Sequence, residues 1–197
     1  PEERAAWSYR EELANRNKRS VALDLGQREG GEILRELVGR ADVLVCDWPE
    51  REVRAAGLDY ESLARAKPGL IYLRASGFGP NGPDRELPAL DELAAARTGM
   101  MPILPQPGEP PVYTGSGQIY TTVMLAFGVL TALEHREQSG EGQLVDVSLF
   151  AGNMYGASLD LQAYLAMGGE RLLQPVARRD SGNPMSGSGM LYATRDG

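Results

Sequence analysis

The chain has 197 residues, 42% hydrophobic and 24% charged, with 20 basic against 27 acidic side chains and a formal net charge of −7. These proportions exclude a disordered or collagen-like chain, and an acidic chain without a basic stripe is a poor partner for nucleic acid. Length allows one domain, or one and a piece of a second, at the usual ~100–150 residues each.

The opening Pro-Glu-Glu-Arg is the reverse of a signal peptide, and no segment reads as a membrane span, so no membrane is expected. The single cysteine, Cys46, can form no internal disulfide, which suits a reducing cytoplasm.

In chain order, a mixed polar segment ends in Asn15-Arg16-Asn17-Lys18-Arg19-Ser20, and Val21–Leu25 reads as a short strand. A helical pattern follows from Gln27 to Arg40, with Ile33, Leu34, Leu37 and Val38 on one face. The apolar run Val43–Cys46 suits a strand buried on both faces. Two short helical patterns, Arg51–Ala56 and Tyr60–Ala66, precede Lys67-Pro68-Gly69, and Leu70–Leu73 is a further buried strand. Strand, helix, strand, helix, strand with short turns predicts a parallel α/β sheet.

A Gly/Pro-rich loop, Ser76–Pro83, comes next, then a helix over Leu90–Thr98 and an extended loop with five prolines between Pro102 and Pro111. Arg97 and Arg136 bracket a stretch without basic residues, whose only acids are Glu109 and Glu134. Such a stretch is expected in an interior or a pocket wall. It contains most of the longest predicted helix, Ile119–Glu137, with basic residues in the last turn and a Ser139-Gly140 stop. Leu144–Leu149 alternates as a strand, and a helix over Phe150–Met167 completes another βα unit. The tail from Gly168, with one short strand candidate at Met190–Thr194, reads as a linker entering a second domain.

Several chemistries lack their residues. There is no Walker-type Gly-Lys-Ser/Thr, and no Gly-x-Gly-x-x-Gly follows the first strand. His135 and Cys46 stand 89 positions apart, with no carboxylates clustered at ligand spacing, so no metal site is expected. His135 reads as a solvated residue of a helix end and Cys46 as a core thiol, which leaves no Ser-His-Asp triad.

Six segments, in order, resemble the family III coenzyme A transferases (the CaiB/BaiF family). They are Asn15-Arg16-Asn17-Lys18-Arg19-Ser20-Val21-Ala22-Leu23-Asp24-Leu25, Ala41-Asp42-Val43-Leu44-Val45, Gly57-Leu58 with Tyr60 and Leu63, Leu70-Ile71-Tyr72 with Ser76-Gly77-Phe78-Gly79 and Gly82-Pro83, Gly140–Leu149, and Gly182-Asn183-Pro184. The resemblance implies a Rossmann-like large domain, a smaller α/β domain, and two chains interlocked as a homodimer. It implies transfer of coenzyme A between carboxylic acids through an aspartate that forms a mixed anhydride and then an acyl-enzyme thioester. The ligands expected are a CoA thioester and a carboxylic acid, with coenzyme A as substrate and no covalently bound cofactor. Residues 1–150 then belong to the large domain without its first βα unit, 151–180 to a helix and linker, and 181–197 to the start of the small domain.

In the family the nucleophilic Asp lies ten residues before the Gly of an "I-G-x-L" helix segment. Counting back from Phe127-Gly128-Val129-Leu130 gives Gln118, preceded by Gly117. These two are the catalytic-position candidates. A neutral Gln cannot form the anhydride, but it can hydrogen-bond a thioester carbonyl or a water. The racemases of the family use a His before the Asp that corresponds to Asp91. Here that residue is Leu90, so racemisation is not expected and Asp91 reads as structural.

Basic residues that touch coenzyme A in the family align with Gly26, Ala55 and Pro88, and its usual Asn with Asp47. Arg16, Lys18, Asp47, Trp48, Arg51, Arg54 and Gly77 are the candidates for coenzyme A contacts here, since guanidinium forks suit phosphates. Three readings stay open: a transferase, with Gln118 tolerated or another carboxylate such as Glu109 or Asp91 recruited; an inactive homologue or degenerate half that pairs with an active subunit; and a lyase, hydrolase or isomerase acting on CoA thioesters.

Overall fold

The computed structural model describes residues 9–99, 101, 105 and 108–168. Its centre is a parallel three-stranded sheet in the order β1 (Val43–Cys46), β2 (Ile71–Ser76), β3 (Leu144–Ser148). The register pairs Val43 with Ile71 and Leu73 with Val145. Helices α1 (Tyr9–Ala14) and α2 (Arg28–Arg40) precede the sheet. Helices α3 (Glu50–Ala55) and α4 (Tyr60–Ala66) connect β1 to β2, and α5 (Asp91–Arg97) and α6 (Ser116–Ser139) connect β2 to β3. After β3 come α7 (Leu149–Gly156) and α8 (Ser158–Met167).

The central strand carries the core because successive side chains of a strand face opposite ways. Leu70 and Tyr72 enter a buried cluster with Val38, Val53, Leu58 and Leu63, contributed by α2, α3, α4 and the turn between α3 and α4. Ile71 and Leu73 point to the other face. There Val145, the register partner of Leu73, meets α6 so closely that a Cβ at Gly128 would stand 2.7 Å from its methyl. Polar contacts fix several ends of the connections. Asp59 caps α4 through the Ser62 N–H at 3.0 Å, and Ser148 caps α7 through the Ala151 N–H at 3.1 Å. Arg136, in the last turns of α6, donates to the Gly69 carbonyl and to the Asp42 carboxylate, both at 3.1 Å, so the helix is tied to the starts of β1 and β2. Gly140 ends α6 in the left-handed conformation at φ 75°.

The expected parallel α/β sheet is present, with differences of detail. Val21–Leu25 forms no strand: Asp24 turns the chain by accepting the Gly26 N–H at 2.9 Å, and its backbone abuts Gly30 of α2. With no partner strand alongside, an apolar run has no ladder to join. Among the described residues Val43–Cys46 is an edge strand rather than one buried on both faces, and Val45 is 59% exposed. On α2, Val38 is buried and Leu34 half-buried, but Ile33 and Leu37 are exposed. The helix expected over Phe150–Met167 is two helices separated at Ala157.

Helix α6 departs most from expectation, since it is not interior. Ile119, Val123, Phe127 and Leu130, spaced by four, four and three residues, are each 64–67% exposed. Among the described residues it is the one helix long and apolar enough to cross a membrane, contrary to the expectation of none, and its other side lies along β2, β3 and α7. The strand candidate Met190–Thr194, the tail around it and half of the proline loop lie outside the described residues.

Candidate active site

Parallel strands leave a crevice beyond their carboxyl ends, where the following loops diverge. Here the loop after β1 (Asp47-Trp48-Pro49) and the loop after β2 (from Gly77) border a cleft of about 800 Å³. Arg51 and Arg54 of α3 line the same cleft, with Arg74 of β2. The loop after β2 needs its first glycine: a Cβ at Gly77 would stand 3.0 Å from the Ala89 Cα and 3.1 Å from the Pro88 oxygen. The Gly77 carbonyl also accepts the Phe150 N–H of α7 at 2.9 Å.

The charges of the cleft divide into committed and free. Arg74, 19% exposed, donates through Nη1 to Glu50 at 2.9 Å and through Nε to Asp146 Oδ2 at 2.8 Å, with a second bond from Nη2 to the same Asp146 oxygen. Burial alone would lower its pKa, but the hydrogen bonds and charges of Asp146 and Glu50 outweigh that and hold it above its ordinary value. Arg54 Nε pairs with the other Glu50 oxygen at 2.7 Å. Arg51, exposed at the rim, makes no ion pair among the described residues. Cys46 packs against the core, and burial, with the Cys46 thiol hydrogen-bonded beside it, pushes the Tyr72 hydroxyl well above the phenol range.

Gln118 stands elsewhere. It is the third residue of α6, exposed, behind a Gly115 that adopts φ 70° and offers no capping side chain. Its N–H donates to Asp91 Oδ2 at 3.2 Å. Asp91, the first residue of α5, is buried, and also accepts from the Tyr113 hydroxyl at 2.8 Å and from Asn153 Nδ2 at 2.8 Å. Gly117 is buried because the Asn153 carboxamide occupies the space its Cβ would take. Ser116 and Tyr120 on either side of Gln118, with Thr114 and Asn153, line a second pocket of about 210 Å³.

A family model of CoA-transferase family III matches residues 1–197. The chain belongs to CoA-transferase family III. It is 35% identical over 178 residues to a cinnamoyl-CoA:phenyllactate CoA-transferase of Clostridium sporogenes, covering 88% of this chain and 42% of that protein. It is 38% identical over 138 residues to the alpha subunit of a succinyl-CoA–L-malate CoA-transferase of Chloroflexus aurantiacus, covering 68% of this chain and 32% of that one. A crystal structure of a CaiB/BaiF family protein from Brucella suis superposes with a TM-score of 0.75 at 33% identity, over 83% of this chain and 43% of that one. The chain thus spans a third to under half of the length of these relatives.

Of the residues nominated from this family III sequence, Asp47, Trp48, Arg51, Arg54 and Gly77 meet on one cleft. Arg16 and Lys18 line neither cavity, and Lys18 Nζ donates to Asn15 at 3.4 Å. Gly117 and Gln118 belong to the α6 terminus and line neither cavity themselves. Two residues escape a sequence reading. Arg74 carries one signal, a guanidinium directly after a buried apolar run, whereas Asn153 carries none.

Proposed function

We propose that the chain is part of an enzyme that moves coenzyme A between carboxylic acids by way of CoA thioesters. The observation that supports this best is the cleft at the strand ends of a family III chain, where Arg51, without an ion pair among the described residues, stands beside Trp48 and the Gly77 loop. In this reading Arg51 meets a phosphate, the indole and the loop flank the nucleotide, and Asp47 bounds the cleft. Gln118 takes the place of the family's Asp, preceded by Gly117. A carboxamide cannot form a mixed anhydride, so its role is to donate a hydrogen bond to a thioester carbonyl oxygen or to orient a water. Of the alternative carboxylates, Asp91 has both oxygens engaged by donors and is buried, and Glu109 is exposed outside both cavities.

Calorimetric titration with coenzyme A and acetyl-CoA tests this reading. We expect micromolar binding, weakened about tenfold or more by Arg51→Ala, as for loss of one charge-assisted contact. Absence of binding overturns the reading. With acetyl-CoA and an acceptor acid, Gln118→Ala should lower turnover roughly a hundredfold if Gln118 is an oxyanion donor. Thioester loss without an acceptor acid would point to hydrolase, lyase or isomerase chemistry. Binding without turnover, restored on adding an active family member, would favour a subunit role, which the alpha-subunit name of the Chloroflexus relative supports.

We further infer a two-domain layout, with residues 1–150 in the large domain, 151–180 as helix and linker and 181–197 opening the small domain, working as a cytoplasmic homodimer. The exposed α6 stripe is what supports the pairing. Light scattering should give twice the chain mass, and Phe127→Glu should halve it. A monomeric wild-type chain overturns the dimer.

A further inference from the structure

The first four N–H groups of an α-helix have no partner inside the helix and must find one elsewhere. In α6 the ordinary solution is missing, because the N-cap is Gly115, without a side chain to accept. The Gln118 N–H is instead taken by a carboxylate from a different helix, Asp91 of α5, at 3.2 Å. That carboxylate is 7% exposed, and its other bonds come from the Tyr113 hydroxyl and from Asn153 Nδ2, each at 2.8 Å. Asn153 is held in turn by the Leu149 carbonyl of its own helix at 2.9 Å, and lies where Gly117 has no side chain. Three helices and the segment before α6 therefore converge on one carboxyl group.

We propose that Asp91 is the positioning residue of this site: it fixes the backbone at residue 118, and with it the direction in which the Gln118 side chain leaves the helix. This rests on the reading that Gln118 faces the thioester. A carboxylate fits the task because it accepts at both oxygens. An asparagine has one acceptor oxygen, so its NH₂ would face either the NH₂ of Asn153 or both the Tyr113 hydroxyl and the Gln118 N–H. The negative charge also suits the α6 N-terminus, where the helix dipole favours an anion.

Site-resolved amide hydrogen exchange on the full chain tests the role, alongside steady-state kinetics with acetyl-CoA. In the wild type the Gln118 N–H should exchange at least tenfold more slowly than a free-chain amide. Asp91→Ala, which leaves no acceptor, should remove most of that protection, while amides in the middle of α6, such as that of Leu130, keep theirs. Turnover should fall with KM for acetyl-CoA unchanged, the split expected when orientation is lost and binding is kept. Unchanged exchange at Gln118 in Asp91→Ala overturns the inference, even if turnover drops. Loss of protection in a protein whose wild type turns over no thioester supports the positioning and refutes the proposed function instead. Should Asp91→Ala not fold, the wild-type rate decides alone: exchange at the free-chain rate overturns the proposal.

Discussion

Arg74→Met should lower the stability of the chain by about 2–3 kcal/mol, a Tm drop of roughly 5–10 °C. Removing one partner of a buried ion pair costs about 3–5 kcal/mol, because the remaining charge is left desolvated and unpaired. The triad here is less extreme. The Arg74 side chain is 19% exposed, that of Asp146 26% and that of Glu50 35%, so water recovers part of the loss. Glu50 also keeps Arg54, whereas Asp146 has no second cation among the described residues, so the stranded charge is chiefly that of Asp146. The double variant Arg74→Met/Asp146→Leu should therefore recover about half of the loss, because an apolar pair no longer holds an unpaired carboxylate. Thermal unfolding of the three proteins at low salt checks this. A single variant within about 0.5 kcal/mol of wild type would show that the network adds no stability.

The second large effect is expected at Gly117. Helix propensity alone favours alanine there by about 1 kcal/mol. The Cβ, however, would occupy the place of the Asn153 carboxamide, so that side chain must leave its bonds to Asp91 and to the Leu149 carbonyl. Overpacking costs about 1–3 kcal/mol, and a buried acceptor left short of a donor about 1–3 more. Steric and polar costs outweigh propensity, and Gly117→Ala should lose about 2–4 kcal/mol in urea unfolding. Gly117→Ala/Asn153→Ala separates the two causes: it removes the overlap but not the polar loss, so it should recover only part. Full recovery would assign the whole effect to crowding.

Local patterning made most of the fold legible, because β1 and the start of β2 are continuous apolar runs and β3 alternates, with Gly, Pro and capping residues between them. Tyr60–Ala66 is a helix with the expected ends, since Asp59 supplies its cap and Lys67-Pro68-Gly69 its stop. Val21–Leu25 shows the limit of such reading: a strand is defined by its neighbour, and propensity does not supply one. The exposed stripe of α6 shows another, since an uncharged segment reads as interior whether or not the rest of the chain covers it. At the site, the loops after β1 and β2 were readable because glycine and proline mark them. The Asp91–Asn153 contact was not, because 62 residues separate two ordinary polar side chains and no spacing rule links them.

Helix α7 is anchored twice within a single turn. Phe150 holds the loop that borders the larger cleft, and Asn153 holds the carboxylate beneath the start of α6. The two cavities therefore share α7 as a common support. An attempt to widen either of them by redesign must keep residues 149–153 in place, or it will disturb both at once.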